Sequence, residues 1–334
     1  MKIDQFETDQ NVLVIAEIGN NHEGRFEVAK QMVIEAAKCG VDAVKFQTFK
    51  TDLFISSQDT KRVEQLKRFE LTYEQFVDLK NLAHSLGLLF ISTPLDLDSA
   101  SFLESVVDAF KIASSDNTFY PLIKKVCATD KPVIISTGLA DESLILDLKK
   151  LIETEFSQKL EQLAILHCLT SYPAPLEEMN LNAISKLQDI TPWEVGYSDH
   201  SMGIDACVLA VAKGARILEK HFTLDHRYSD FRDHQLSADP KEMRDLVMRV
   251  RNAEKMLGKG EVILSDCEKS MVSAVRRSLA LSRNYEEGEN IQENDLIWIR
   301  PGSGFVYGQE SLVIGQTVKR KITKGSVLTK EDFS

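Results

Sequence analysis

Eight nearly unbroken apolar runs of strand length recur between residues 12 and 221, and this repetition restricts the fold more than any other feature of the chain. They are 12–17 (VLVIAE), 43–47 (AVKFQ), 88–93 (LLFIST), 109–113 (AFKIA), 132–136 (PVIIS), 163–168 (LAILHC), 194–198 (EVGYS) and 217–221 (ILEKH). A strand with one wet face alternates apolar and polar residues. These runs do not, so both faces must be covered, as in a parallel sheet. Most intervals carry helical periodicity, as at 28–39, 73–86, 141–155 and 205–213, with a last helix at 240–257. Gly40, Gly87 and Gly214 follow three of these helices, where a C-terminal stop favours glycine. Strand and helix alternating eight times within roughly 250 residues predicts an α/β fold, a (β/α)8 TIM barrel. The long polar interval 48–72 after the second strand reads as a mobile loop.

Near residue 275 the texture changes. Arg283, Gly288, Ile291, Asp295 and Leu296 recur at an offset of 37 as Arg320, Gly325, Leu328, Asp332 and Phe333. A short unit present twice predicts a pseudo-symmetric mini-domain in which each copy covers the other's apolar face. At about 60 residues it is too small to carry much stability alone. The expected organisation is a barrel over 1–264, a linker over 265–275 and a small domain over 276–334. Lys and Arg total 40 against 51 Asp and Glu, and the net charge of −11 argues against binding to nucleic acid or an anionic membrane. No apolar run reaches the roughly 18 residues of a membrane span, and the polar stretch 1–10 does not read as a secretory signal. Five scattered cysteines without a CxxC pair suit a reducing compartment, so a cytoplasmic location is expected.

A barrel of this kind carries its chemistry at the C-terminal ends of the strands, and every run here ends in polar residues. In strand order they are Glu17, the pair Lys45 and Gln47, Thr93, Lys111 with Ser114, Ser136, His167 with Tyr172, Ser198 with His200, and Glu219 with His221. A buried, unpaired ammonium is costly, so Lys45 and Lys111 need an anion, either a protein carboxylate or a ligand phosphate or carboxylate. Hydroxyls at Thr93, Ser114 and Ser136 stand ready to serve the same anion. His200 and His221 end neighbouring strands. They are either core histidines satisfied by backbone or, with Glu219 close by, ligands of a divalent cation with open positions. Cys168 and His167 are adjacent in a strand and so point to opposite faces, which argues against a thiol–imidazole nucleophile. No GxGxxG or GxxxxGKS/T pattern occurs, so no nucleotide cofactor is expected.

The runs EIGNNHEG (17–24), KFQT (45–48), STP (92–94), STG (136–138), HC (167–168) with YP (172–173), SDH (198–200) and EKHF (219–222) resemble the sialic acid synthase family in the family's own order. These are phosphoenolpyruvate-condensing nonulosonate synthases. The C-terminal repeat, with Arg300-Pro301-Gly302, resembles their antifreeze-like (SAF, β-clip) domain. The resemblance implies condensation of phosphoenolpyruvate with an N-acetylated sugar aldehyde, commonly N-acetylmannosamine, to give N-acetylneuraminate or a related nonulosonic acid. It implies His200 and His221 as ligands of a divalent metal, Mn2+ first, with Mg2+ or Co2+ as substitutes. Lys45, Thr93, Lys111, Ser114, Ser136 and Ser198 would bind phosphoenolpyruvate. Gln47, Tyr172 and Glu219 would orient the sugar and intermediate, and Glu17 would act as acid or base. Arg300 would enter from the partner subunit of a domain-swapped homodimer to hold the N-acetyl group. Where many members carry a Pro-Gly-Pro-Asp stretch after strand 8, this chain reads SDFRDH over 229–234. A legionaminic or pseudaminic acid synthase using a diacetamido-trideoxyhexose is therefore an alternative. A metal-dependent sugar aldolase or isomerase is a remoter one, and it leaves Lys45 and Lys111 unexplained.

Overall fold

The computed structural model describes residues 1–333. The polypeptide divides into two compact units, Met1–Gly258 and the remainder from Lys259 onward. The first is a closed barrel of eight parallel strands. These are β1 (Leu13–Gly19), β2 (Ala43–Thr48), β3 (Leu89–Pro94), β4 (Ala109–Ile112), β5 (Val133–Ser136), β6 (Leu163–Cys168), β7 (Glu194–Asp199) and β8 (Ile217–His221). Each pairs with its sequence neighbours, and β8 closes on β1 with Ile217 opposite Leu13 and His221 opposite Glu17.

Period-two alternation divides each strand between two environments. Outward residues such as Val14, Val44, Phe90, Phe110, Val133, Val195 and Leu218 pack under the helices in the main core. Inward residues at the lower end form a separate apolar plug of Leu13, Ile15, Ala43, Ile91, Ala109, Ile134, Ala164, Leu166 and Ile217, with Ile3 of the N-terminal hairpin among them. Two residues further along the same inward faces stand Glu17, Lys45, Lys111, Ser136, Ser198 and Glu219, all buried. The apolar runs therefore conceal a sharp change of character inside the barrel, from hydrocarbon below to charge above.

The interval 48–72 is not the mobile loop its polarity predicts. It forms helices Thr51–Phe54 and Thr60–Phe69. The second helix is polar on most of its surface, yet it buries Leu66 and Phe69 with Phe49 and Leu95 in a small satellite core. Two apolar anchors suffice to order a segment whose average composition reads as loop. Among the described residues no helix is long and apolar enough to cross a membrane.

In the second unit the strands β9 (Ser278–Leu281) and β10 (Leu296–Ile299) pair antiparallel. The two copies of the repeat hold one another. Tyr285 and Ile322 exchange backbone hydrogen bonds at 2.9 Å in both directions, and Gly288 and Gly325 each take positive φ. Arg283 bonds Asp295 and Arg320 bonds Asp332, each at 3.0 Å, so one Arg-to-Asp brace occurs per copy. Leu279, Tyr285, Ile291, Ile322, Leu328 and Phe333 share the single core. The equivalent expected pseudo-symmetry is thus realised in covering apolar faces and in matching braces.

Candidate active site

The charged layer opens into a cavity of about 180 Å³ at the C-terminal end of the barrel. Of the barrel residues singled out above, Glu17, Lys45, Gln47, Thr93, Lys111, Ser114, Ser136, Tyr172, Ser198, His200, Glu219 and His221 line it, whereas His167 turns away from it to the Met179 carbonyl. Arg300 belongs to the second unit, where it is exposed.

A bulge shapes the first strand's contribution. Glu17 pairs with Lys45, but the next partner of β2 is Gly19, and Gly19 takes φ +52°. A bulge beside a site re-aims the side chains around it. The chain then turns through Asn20, whose amide donates to Gln47 Oε1 at 2.9 Å, while Gln47 Nε2 donates to Glu17 Oε1 at 3.3 Å.

The two lysines already have protein partners. Lys45 Nζ lies 2.9 Å from Glu17 and 3.7 Å from Glu219, and it donates to Thr93 Oγ1 at 3.3 Å. Lys111 Nζ donates to Ser136 Oγ at 2.6 Å and to the Ile112 carbonyl at 3.1 Å, with Glu219 at 3.8 Å. Of the two kinds of anion the sequence left open, carboxylate is the one present here. Burial pushes the Glu17 carboxyl above its ordinary range, Lys45 offsetting it only in part. Burial acts the same way on Glu219, yet Lys111 and Lys45 outweigh it, helped by the Ser198 hydroxyl donating at 2.9 Å, and hold this carboxyl low. Two buried carboxyls on neighbouring strands are thereby driven apart, one toward holding a proton and one toward remaining ionised. That division is how an acid and a base come to coexist in one site. Burial likewise depresses Lys111, while at Lys45 the carboxylates overcome burial and raise the ammonium.

Across the cavity the His200 and His221 rings lie 5.3 Å apart. His200 Nδ1 is 2.7 Å from the Leu169 carbonyl, and a carbonyl only accepts, so Nδ1 carries a proton and Nε2 is the nitrogen left free of that bond. Burial, then the His200 and Lys45 charges, hold His221 well below its ordinary pKa, and its buried Nδ1 has no hydrogen-bond partner. His200 is thus satisfied by backbone through Nδ1 while His221 is not, and the neutral His221 imidazole beside it leaves nitrogen lone pairs that fit a cation. The Tyr172 ring lies 4.1 Å from the His200 ring at a tilt of 32°, and the Arg232 guanidinium sits 4.9 Å over the Tyr172 ring.

Several lining residues escaped the sequence reading. Cys168 does point away from His167, whose Nε2 donates to the Met179 carbonyl at 2.7 Å, but its Sγ approaches His200 Nδ1 at 3.7 Å from the neighbouring strand. Arg62, Phe231, Arg232 and Asp233 line the mouth from segments without strand periodicity. The SDFRDH stretch, which the family resemblance puts at the border of the sugar site, supplies three of these, whereas nothing in the sequence pointed to Arg62. The lining brings four cationic side chains against three carboxylates within a chain of net charge −11, a local excess that favours an anionic ligand. Among the described residues the one group of three close metal-competent side chains is His226, Asp239 and Glu242. There Asp239 and Glu242 are engaged in the capping box of the helix Pro240–Leu257, which accounts for their proximity.

The NeuB family model matches residues 32–262 and the SAF domain model residues 276–334. An uncharacterized protein of Methanocaldococcus jannaschii is 43% identical over 96% of this chain and 94% of its own length. The N,N'-diacetyllegionaminic acid synthase of Legionella pneumophila is 38% identical over 94% of this chain and 92% of its own. A crystal structure of the N-acetylneuraminic acid synthetase of Leptospira borgpetersenii superimposes with a TM-score of 0.75 at 32% identity, covering 81% of this chain and 94% of that one.

Proposed function

Because the chain belongs to the NeuB family, with an SAF domain following the barrel, we propose that it condenses phosphoenolpyruvate with the open-chain aldehyde of an N-acetylated amino sugar. The products are a nonulosonic acid and inorganic phosphate. The observation that carries this reading is the two-sided cavity: Lys45, Thr93, Lys111 and Ser136 on the wall built by β2 to β5, and His200 and His221, with Ser198, on the wall at β7 and β8. The first wall suits the phosphate and carboxylate of an enol phosphate. A divalent cation, Mn2+ first and Mg2+ or Co2+ as substitutes, would be held by His200 and His221 and would supply Lewis-acid polarisation of the acceptor's carbonyl oxygen.

The methylene carbon of the enol phosphate forms a bond to the aldehyde carbon, and water adds at the carbon bearing the phosphate. The C–O bond there breaks, and phosphate leaves with the electron pair. Glu17, pushed toward its protonated form by burial, delivers a proton to the aldehyde oxygen as it becomes a hydroxyl. Glu219, held ionised, takes a proton from the adding water. Gln47 and Tyr172 orient the sugar, and Ser114 backs the phosphate wall. Arg300 reaches the acetamido group from the partner subunit of a cytoplasmic, domain-swapped homodimer.

A second reading of the acceptor is favoured by three apolar side chains, Phe54, Leu95 and Phe231, in the cavity lining. A diacetamido-trideoxyhexose presents a methyl group where N-acetylmannosamine presents a hydroxymethyl, and the methyl gains from such a surface. The Legionella relative is named for a diacetylated product. A panel of N-acetylated aldoses, assayed with phosphoenolpyruvate and read by product mass, decides between them. No phosphate release with any acceptor would overturn the proposed reaction.

A further inference from the structure

Behind the two histidines, on the outer face of the barrel, lies a charge pair that the reaction does not touch. Asp199 immediately precedes His200 and Lys220 immediately precedes His221, and the two are direct cross-strand partners. Lys220 Nζ lies 2.9 Å from Asp199 Oδ2 with side chains 1% and 0% exposed, the most deeply buried ion pair among the described residues. Both groups make further bonds. Asp199 Oδ1 accepts from the Ser201 amide at 2.8 Å and from Tyr197 Oη at 3.1 Å, and its Oδ2 also faces Cys207 Sγ at 3.4 Å. Lys220 donates to the Ser201 carbonyl at 2.6 Å.

Such a pair is a poor way to gain stability, because removing two charges from water costs about as much as their attraction returns. What it does provide is geometry. Its bonds clamp the residues on both sides of His200, Asp199 and Ser201, to the residue before His221. Alternation along each strand turns both imidazoles inward while both charges turn outward. The clamp therefore holds the backbone from which the two rings project.

We infer that Asp199 and Lys220 are positioning residues that set the separation of His200 and His221 for the cation. This rests on the metal role proposed above. Outer groups that orient ligands typically change metal affinity by about 10–100-fold when removed.

The test is direct Mn2+ binding by calorimetry to the full chain, alongside melting temperature and the melting shift produced by phosphoenolpyruvate without metal. In the double variant Asp199→Asn with Lys220→Gln, neutral amides keep hydrogen-bonding capacity and remove the charges. The expected result is a folded protein with an unaltered phosphoenolpyruvate shift and Mn2+ affinity about tenfold weaker or more. Wild-type Mn2+ affinity in the folded double variant would overturn the inference and leave the pair as a strand staple. If that variant does not fold, Tyr197→Phe decides, since it removes one bond to Asp199 and no charge. A severalfold loss of Mn2+ affinity supports the clamp, and none overturns it. A wild-type protein that binds no Mn2+ and turns over with chelator present would instead remove the metal role itself, and this inference with it.

Discussion

Lys45 Nζ sits 2.9 Å from a Glu17 carboxylate oxygen across β1 and β2, with both side chains at or below 4% exposure. The ammonium is neutralised by the same carboxyl that burial pushes toward protonation. An enol phosphate arriving at Lys45 therefore meets Glu17 as a like charge unless Glu17 holds its proton. Glu17→Gln is expected to fold, to keep or strengthen the thermal shift produced by phosphoenolpyruvate, and to lose turnover by about 100-fold or more. Lys45→Met leaves a buried carboxylate without its cation. It is expected to lose the shift and to melt at lower temperature, with Glu17 taking up a proton once its cation is gone. Denaturant melts with and without phosphoenolpyruvate, beside phosphate release, separate the two variants.

Removal of the metal should stop phosphate release. After chelation, added Mn2+ is expected to restore wild-type activity, and His221→Ala is expected to stay inactive at the same Mn2+ concentration while melting cooperatively. Release that persists in chelator would contradict the role given to the two histidines.

His22 supplies a stability test away from the chemistry. Its Nδ1 accepts the Gly24 amide at 3.0 Å, and burial pushes the imidazole down to about 4. The unfolded chain takes up a proton at this position near pH 6.5 and the folded chain does not. Stability should therefore decline as pH falls from about 6.5 to about 4, by up to ~3 kcal/mol, with no further loss from this group below that. His22→Gln should flatten this part of the profile, measured as urea midpoints at pH 7.5 and 4.5.

The proposed exchange of domains predicts complementation. Arg300→Ala and His221→Ala dimers are each expected to be inactive. Unfolded together in equal amounts and refolded, they should regain about a quarter of wild-type activity, because half the dimers then carry one complete site of two. A mixture as inactive as its parents would contradict Arg300 acting across subunits.

The phase of the barrel strands was legible because inward and outward residues differ in kind only at their upper ends. Lys45 with Gln47 and Glu219 with His221 could be placed on one face by counting twos. What alternation cannot express is reach across strands. The bond from Lys45 to Glu17 spans 28 residues, and the approach of Cys168 to His200 spans 32. The clamp between Asp199 and Lys220 was equally hidden, since counting twos turns both residues outward but does not pair one with the other across strands. The helix Thr60–Phe69 was missed for a different reason. Its order rests on Leu66 and Phe69, too few apolar residues to register as a pattern.

The central claim is that one cavity holds the enol phosphate on Lys45 and Lys111, opposite a cation on His200 and His221. A crystal structure of the protein with phosphoenolpyruvate and Mn2+ tests it most directly. The predicted result is phosphate or carboxylate oxygens within hydrogen-bonding distance of both ammonium groups and Mn2+ bound by both imidazoles. Phosphoenolpyruvate bound elsewhere, with Lys45 still on Glu17 and the two imidazoles free of metal, would contradict it.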